Sequence, residues 1–174
     1  MKIAKLTKIQ FEILTKVCTN QEILRLVIYN TRSPLQDTYK WQSGDINVQP
    51  DIEDNIYNEN KRVYLYNNGD EFHDNLDSTI VIRRENCTLI EEQTGSIKID
   101  IICPIDYSIL DDALTQTQLN RECEIADRII AIANTVNGVV VTNSHESVSV
   151  VHKQYNVLTL DLLYTDNLQT VPLA

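Results

Sequence analysis

The sequence predicts an α+β fold: a mainly antiparallel sheet flanked by one long helix and N-terminal helices, with a long irregular loop or arm. Three observations predict it. From Ser96 to Pro104 the apolar residues Ile97, Ile99, Ile101 and Cys103 recur at every second position, with Lys98 and Asp100 between them, which is the period of a half-buried strand. Leu119, Cys123, Ala126, Ile129, Ile130, Ala133 and Val136 then recur at steps of three and four, and Asn137-Gly138 supplies a stop signal, so this stretch reads as an amphipathic helix with a glycine C-terminal cap. Two further strand-like runs, Val139 to Thr142 and Ser147 to Leu163, complete a β, β, α, β, β order, and in the second Leu158, Leu160, Leu162 and Tyr164 face one side.

The elements ahead of that core follow from the same periods. Residues 5 to 30 read as one broken helix or two short ones: Leu6, Ile9, Ile13 and Val17 form one stripe, Ile23, Leu26 and Val27 another, and Thr19-Asn20 lies between them as a cap for the second. From Arg32 to Glu59 the period is lost among Ser33-Pro34, Ser43-Gly44, Pro50 and many Asp and Asn residues, the texture of an arm or loop ordered by a neighbour. Arg62 to Tyr66 is a short strand followed by the turn Asn67-Asn68-Gly69-Asp70. Ser78 to Ile90 is rich in Ile and Val, and pairs with Ser96 to Pro104 through Glu92-Gln93-Thr94-Gly95. The chain therefore reads as one domain over residues 1–174, with helices in 5–30, an arm in 32–59 and a sheet-and-helix core in 61–166.

Composition narrows the function classes. A 43% hydrophobic content suffices for a core, and only 6% aromatic residues argues against a nucleic-acid stacking platform. The formal charge of −10 is unevenly spread. Residues 1–40 carry seven basic residues against three acids, a net +4, so the other 134 residues carry −14. Such a division favours attraction between unlike parts of neighbouring subunits and disfavours sequence-specific DNA binding by the main domain. Cys18, Cys87, Cys103 and Cys123 are widely separated and form no CxxC pair, so they read as small buried hydrophobes in a reducing compartment. The N-terminus carries no long apolar run, and neither a signal peptide nor a membrane span is expected.

Catalytic patterns are weak. Pro50-Asp51 ahead of Glu59-Asn60-Lys61 resembles the proline, acidic, acidic-x-lysine signature of restriction-type nucleases, in which Asp51 and Glu59 would hold Mg²⁺ and Lys61 would help activate water. Asp51, however, stands in a loop-like stretch. Asp70, Glu71, His73, Asp74 and Asp77 offer oxygen and imidazole ligands but lack the spacing and central glycine of a calcium loop, and read as a solvated acidic loop. His73, His145 and His152 stand near no nucleophile signature, and His145 falls in a predicted turn. Four glycines build no phosphate cradle. Arg121, Glu122, Glu124, Asp127 and Arg128 read as the charged face of the long helix, opposite its apolar stripe. No enzyme activity, cofactor or metal is expected.

The order of elements, with Leu119-Asn120-Arg121 through Ile125-Ala126-Asp127-Arg128-Ile129 on the helix and Tyr155-Asn156-Val157-Leu158-Thr159-Leu160 in the closing strands, is similar to that of tail-terminator and neck proteins of tailed bacteriophages. The resemblance covers roughly residues 61–166 and is one of element order; the 32–59 arm departs from the shortest members. It implies a ring, commonly of six copies, that joins the tail tube protein to the portal and adaptor proteins in the virion neck. Such a ring is assembled in the host cytoplasm without a membrane and lets DNA pass non-specifically. Candidates for an acidic channel wall that repels phosphate are Asp51, Glu53, Asp54, Asp70, Glu71, Asp74 and Asp77. Candidates for contacts between subunits are Lys2, Lys5, Lys8, Lys16, Arg121, Glu124 and Arg128. The other readings are a different collar or adaptor protein of the neck, the nuclease, and a small adaptor binding a partner peptide.

Overall fold

The computed structural model describes residues 3–35, 39–40, 46–47, 62–65, 78–88, 94–111, 118–148 and 155–165. The chain opens with helix α1 (Ile3–Thr19), whose Leu6, Ile9, Ile13, Leu14 and Val17 are buried, as a 3.6-residue period requires. Asn20 is extended and breaks the run, and its side-chain oxygen accepts from the Ile23 amide at 3.0 Å. That bond caps α2 (Gln21–Ile28) and satisfies one of its orphan donors, so the predicted break and cap are both present. Within the predicted arm, β1 (Tyr39–Lys40) and β2 (Ile46–Asn47) form a small antiparallel ladder. The strand expected at Arg62 to Tyr66 is the two-residue β3 (Val63–Tyr64).

The sheet proper is built from β4 (Thr79–Thr88) and β5 (Thr94–Pro104), paired antiparallel as expected. A 3₁₀ turn (Ile105–Tyr107) and the short ladder of β6 (Ile109–Asp111) and β7 (Gln118–Asn120) lead into α3 (Arg121–Ala133). The closing strands are β8 (Val139–Val148) and β9 (Tyr155–Thr165). The five-stranded order is β3-β4-β5-β9-β8, parallel only at β3–β4. Because β9 lies antiparallel to both β5 and β8, those two run in the same direction with β9 inserted between them. The β5-α3-β8 crossover is thus a split β-α-β unit.

Helices α1, α2 and α3 join one hydrophobic layer with a single face of the sheet. That face presents Ile80, Ile82, Ile97, Ile99, Ile101, Cys103, Leu158, Leu160, Leu162 and Tyr164, so the predicted alternation of β5 and β9 is present. Each aliphatic side chain fully buried here contributes about 2 kcal/mol relative to exposure. Gln10 of α1 is buried too, and its amide donates to the Ile82 carbonyl at 2.8 Å, just beyond the stretch of β4 that β3 covers. A lone polar group in the core is tolerated because it closes that bond.

Several sequence expectations about the elements need correction. Leu119 is not helical: it pairs with Leu110 across the β6–β7 ladder, and α3 starts only at Arg121. Gly138 does not cap α3, which ends at Ala133 with Asn134 as cap. It holds the turn into β8 instead, at φ +83°, where an added Cβ would lie 2.7 Å from Cε2 of Tyr164 and 2.8 Å from the Thr165 carbonyl. Ser147 to Leu163 is not one strand, since Ser147 belongs to β8 and β9 begins at Tyr155. His145, placed in a turn by the sequence, lies within β8 opposite Thr159.

Candidate interaction surfaces

Arg121 opens α3, and its side chain is fully buried. Its Nε donates to the Tyr107 carbonyl at 2.6 Å. Its Nη1 donates to the carbonyls of Leu26 and of Tyr29, the latter at 2.8 Å, and its Nη2 to that of Thr31. The planar fork thereby collects the carbonyls that end α2, where a cation also meets the negative end of the helix dipole. Burial lowers its pKa from the ordinary arginine value, with Cys103 and Glu122 acting the other way. Arg121 is therefore not on the outer face of α3, and a fully buried guanidinium is not available to a neighbouring subunit. In the first helical turn the packing of α2 and the 3₁₀ turn decides the buried side, and the apolar stripe does not.

Glu122 is buried as well, against the expectation of a solvated face. Its Oε1 accepts from Asn156 Nδ2 of β9 at 3.2 Å, while Oε2 is buried with no hydrogen-bond donor among the described residues. Burial raises the Glu122 pKa, Glu146 of β8 adds to the rise, and Asn156 and Arg121 oppose it. Beside it Cys123 Sγ lies 3.7 Å from Glu146 Oε1. Burial pushes the Cys123 thiol up to about 11 and the Cys103 thiol up to about 12, so neither is an activated nucleophile. Cys18, Cys103 and Cys123 are free thiols, and Cys18 is likewise raised by burial, to about 11.

The sheet face away from the helices carries a polar ladder. Arg83 Nε donates to Asp100 Oδ2 at 2.8 Å, and Thr159 Oγ1 donates to Asp100 Oδ1 at 2.7 Å, linking β4, β5 and β9. Lys98 and His145 approach Asp161 at 3.7 Å and 4.0 Å. His145 reaches this face because a register shift between Val141 and Asn143 reverses the alternation of β8. Val139 and Val141 point to the core, whereas beyond the shift Asn143 and His145 stand opposite the outward Asp161 and Thr159. The alternation of Lys98 and Asp100 announced a polar face, but nothing local announced their partners.

On α1 the outward residues include Lys5, Lys8 and Phe11, and Phe11 is 45% exposed. Arg84 of β4 adds charge beside them through a 2.8 Å bond to Thr7 Oγ1, and Lys5 Nζ sits 5.6 Å from the ring centroid of Tyr164. Among the other predicted contact residues, Lys16 bonds Thr135 at 2.9 Å and pairs with Glu12 at 3.2 Å. Arg128 pairs with Glu22 at 2.6 Å and with Glu124 at 2.8 Å, which ties α3 to α2 within one subunit. Lys2, the channel candidates Asp51, Glu53, Asp54, Asp70, Glu71, Asp74 and Asp77, and the nuclease candidates Glu59 and Lys61 lie outside the described residues. At the other end of the layer, Ile105, Tyr107 and Ile109 stand exposed on the 3₁₀ turn and β6 together with Asp106 and Asp111. Phe11 and this ridge were not singled out by the sequence, because exposure of an apolar residue is decided by what packs beside it.

No group of three or more His, Cys, Asp or Glu side chains among the described residues is placed to hold a metal ion, and no described helix is long and apolar enough to cross a membrane. The chain matches no protein-family model, no curated protein and no solved structure.

Proposed function

We propose that this chain is a structural subunit of a ring at the head-to-tail junction of a tailed bacteriophage, a tail terminator or neck protein that bounds the DNA channel. The observation that carries the reading is the combination of element order and charge. Two N-terminal helices precede a β, β, α, β, β core, and the first 40 positions carry a net positive charge while the remainder is strongly acidic. A closed ring needs two unlike surfaces on every copy, and a division of charge along one chain supplies attraction between them. The acidic segments 51–54 and 70–77 would face the channel, where negative charge lets a phosphate backbone slide without being held. In this reading the protein works as a spacer and joint between the tail tube protein and the portal or adaptor proteins. It needs no catalytic group.

Electron cryo-microscopy of the particle that contains this chain tests the proposal. A ring of copies between portal and tail tube is the expected result. A ring elsewhere in the neck would make it a collar or adaptor protein. A chain absent from any ring, with Mg²⁺-dependent plasmid nicking that Asp51→Ala abolishes, would replace the proposal with the nuclease.

A further inference from the structure

We infer that copies of this chain join head to tail, the outer face of α1 on one copy seating against the Ile105–Asp111 ridge of the next. This rests on the ring proposed above and names its interface. The two surfaces are unlike, as a cyclic contact requires. On α1, Phe11 is 45% exposed and its neighbour one turn back is Lys8, with Arg84 alongside through Thr7. On the ridge, Ile105 is 42%, Tyr107 37% and Ile109 41% exposed, next to the exposed acids Asp106 and Asp111, and no Lys or Arg occurs from Pro104 to Asn120.

Each surface is thus an apolar anchor beside charge of opposite balance: at α1 Lys5, Lys8 and Arg84 outnumber the exposed Glu12, and on the ridge Asp106 and Asp111 outnumber Arg32, whose carbonyl accepts from the Asp111 amide at 2.8 Å. Like-charged pairing, α1 on α1 or ridge on ridge, would place Lys8 against Lys8 or Asp106 against Asp106, so complementarity selects the unlike pair. The other exposed apolar pair, Val140 and Leu163 in register on β8 and β9, lies apart on the sheet face away from the helices.

The test uses the full chain and size-exclusion chromatography with light scattering over a range of concentrations. Wild type is expected to form a closed oligomer whose dissociation rises with salt. Lys8→Glu and Asp106→Lys, each alone, are expected to weaken association at least tenfold. An equimolar mixture of the two variants is expected to restore it, since in an alternating ring every junction again joins opposite charges. Rescue on mixing also shows that both variants are folded. Wild-type rings with unaffected variants, or with folded defective variants that mixing does not rescue, would overturn this interface and leave the ring standing. A wild-type chain that stays monomeric at every concentration would overturn both.

Discussion

The guanidinium of Arg121 donates to the backbone carbonyl of Tyr29 at 2.8 Å, joining residues 92 positions apart and tying the first turn of α3 to the end of α2. Together with its bonds to Leu26, Thr31 and Tyr107 this makes one fully buried side chain the clasp between α2, the 3₁₀ turn and the crossover helix. The carbonyls that it gathers lie past the end of the α2 hydrogen-bond ladder and on the 3₁₀ turn, where a charged donor is the stronger partner.

Replacing Arg121 by Met keeps the apolar stem and removes every donor. Urea denaturation is expected to show a loss of about 3 kcal/mol, the scale of breaking a buried, charge-assisted network. Arg121→Lys should recover only part of it, because one ammonium cannot span the fork. A loss below about 1 kcal/mol for the Met variant would mean that the clasp is not needed.

Glu122 makes stability depend on pH in a definite direction. Burial holds its folded-state pKa above the unfolded value of 4.5, so between the two values the folded chain keeps a proton that the unfolded chain has released. Its contribution is intact below pH 4.5 and is lost as pH rises through the raised value. Glu122→Gln is therefore expected to flatten this part of the profile. At neutral pH it should add about 1 kcal/mol, because the amide carries no charge for burial to penalise. Thermal melts of both proteins across that range check it, and a variant that is less stable at neutral pH would show that the ionised form is the one the fold prefers.

Gly138 is under two constraints at once, a left-handed φ of +83° and the Tyr164 ring 2.7 Å from where a Cβ would sit. Gly138→Ala should destabilise by about 1–3 kcal/mol. Differential scanning calorimetry reads this directly, and an unchanged melting temperature would mean that the turn into β8 relaxes freely.

The two ion pairs on the outer sheet face should differ. Arg83–Asp100 is close, largely buried on the aspartate side and shares Asp100 with Thr159, so a double-mutant cycle with Arg83→Ala and Asp100→Ala should give a coupling of about 1 kcal/mol that survives added salt. Lys98–Asp161, at 3.7 Å with both side chains about one quarter exposed, should couple by about 0.3 kcal/mol or less. Equal couplings would contradict the ranking by burial and geometry.

Much of the fold was legible because period alone carries it. The apolar residues at 97, 99, 101 and 103 and at 158, 160, 162 and 164 alternate as strands must, and all eight are buried. Asn20 broke the N-terminal helices where its side chain caps the second, since Asn competes with the backbone for local bonds wherever it stands. The candidate surfaces were less legible. Lys8 stands out as a contact candidate from charge alone, but the exposure of Phe11 on the same face becomes visible only once the neighbours of α1 are placed.

By itself, then, the sequence determined the α+β class, the pairing of β4 with β5, the helix break at Asn20 and the division of charge, because each depends on residue type and on spacing along the chain. Tertiary structure alone decided the rest. A one-residue register shift in β8 turned His145 outward and set Glu146 beside Glu122 and Cys123, and the end of α2 drew Arg121 into the core. Both are contacts between residues far apart in the chain. Such contacts depend on which backbone groups a fold leaves unsatisfied, and a local period does not record that.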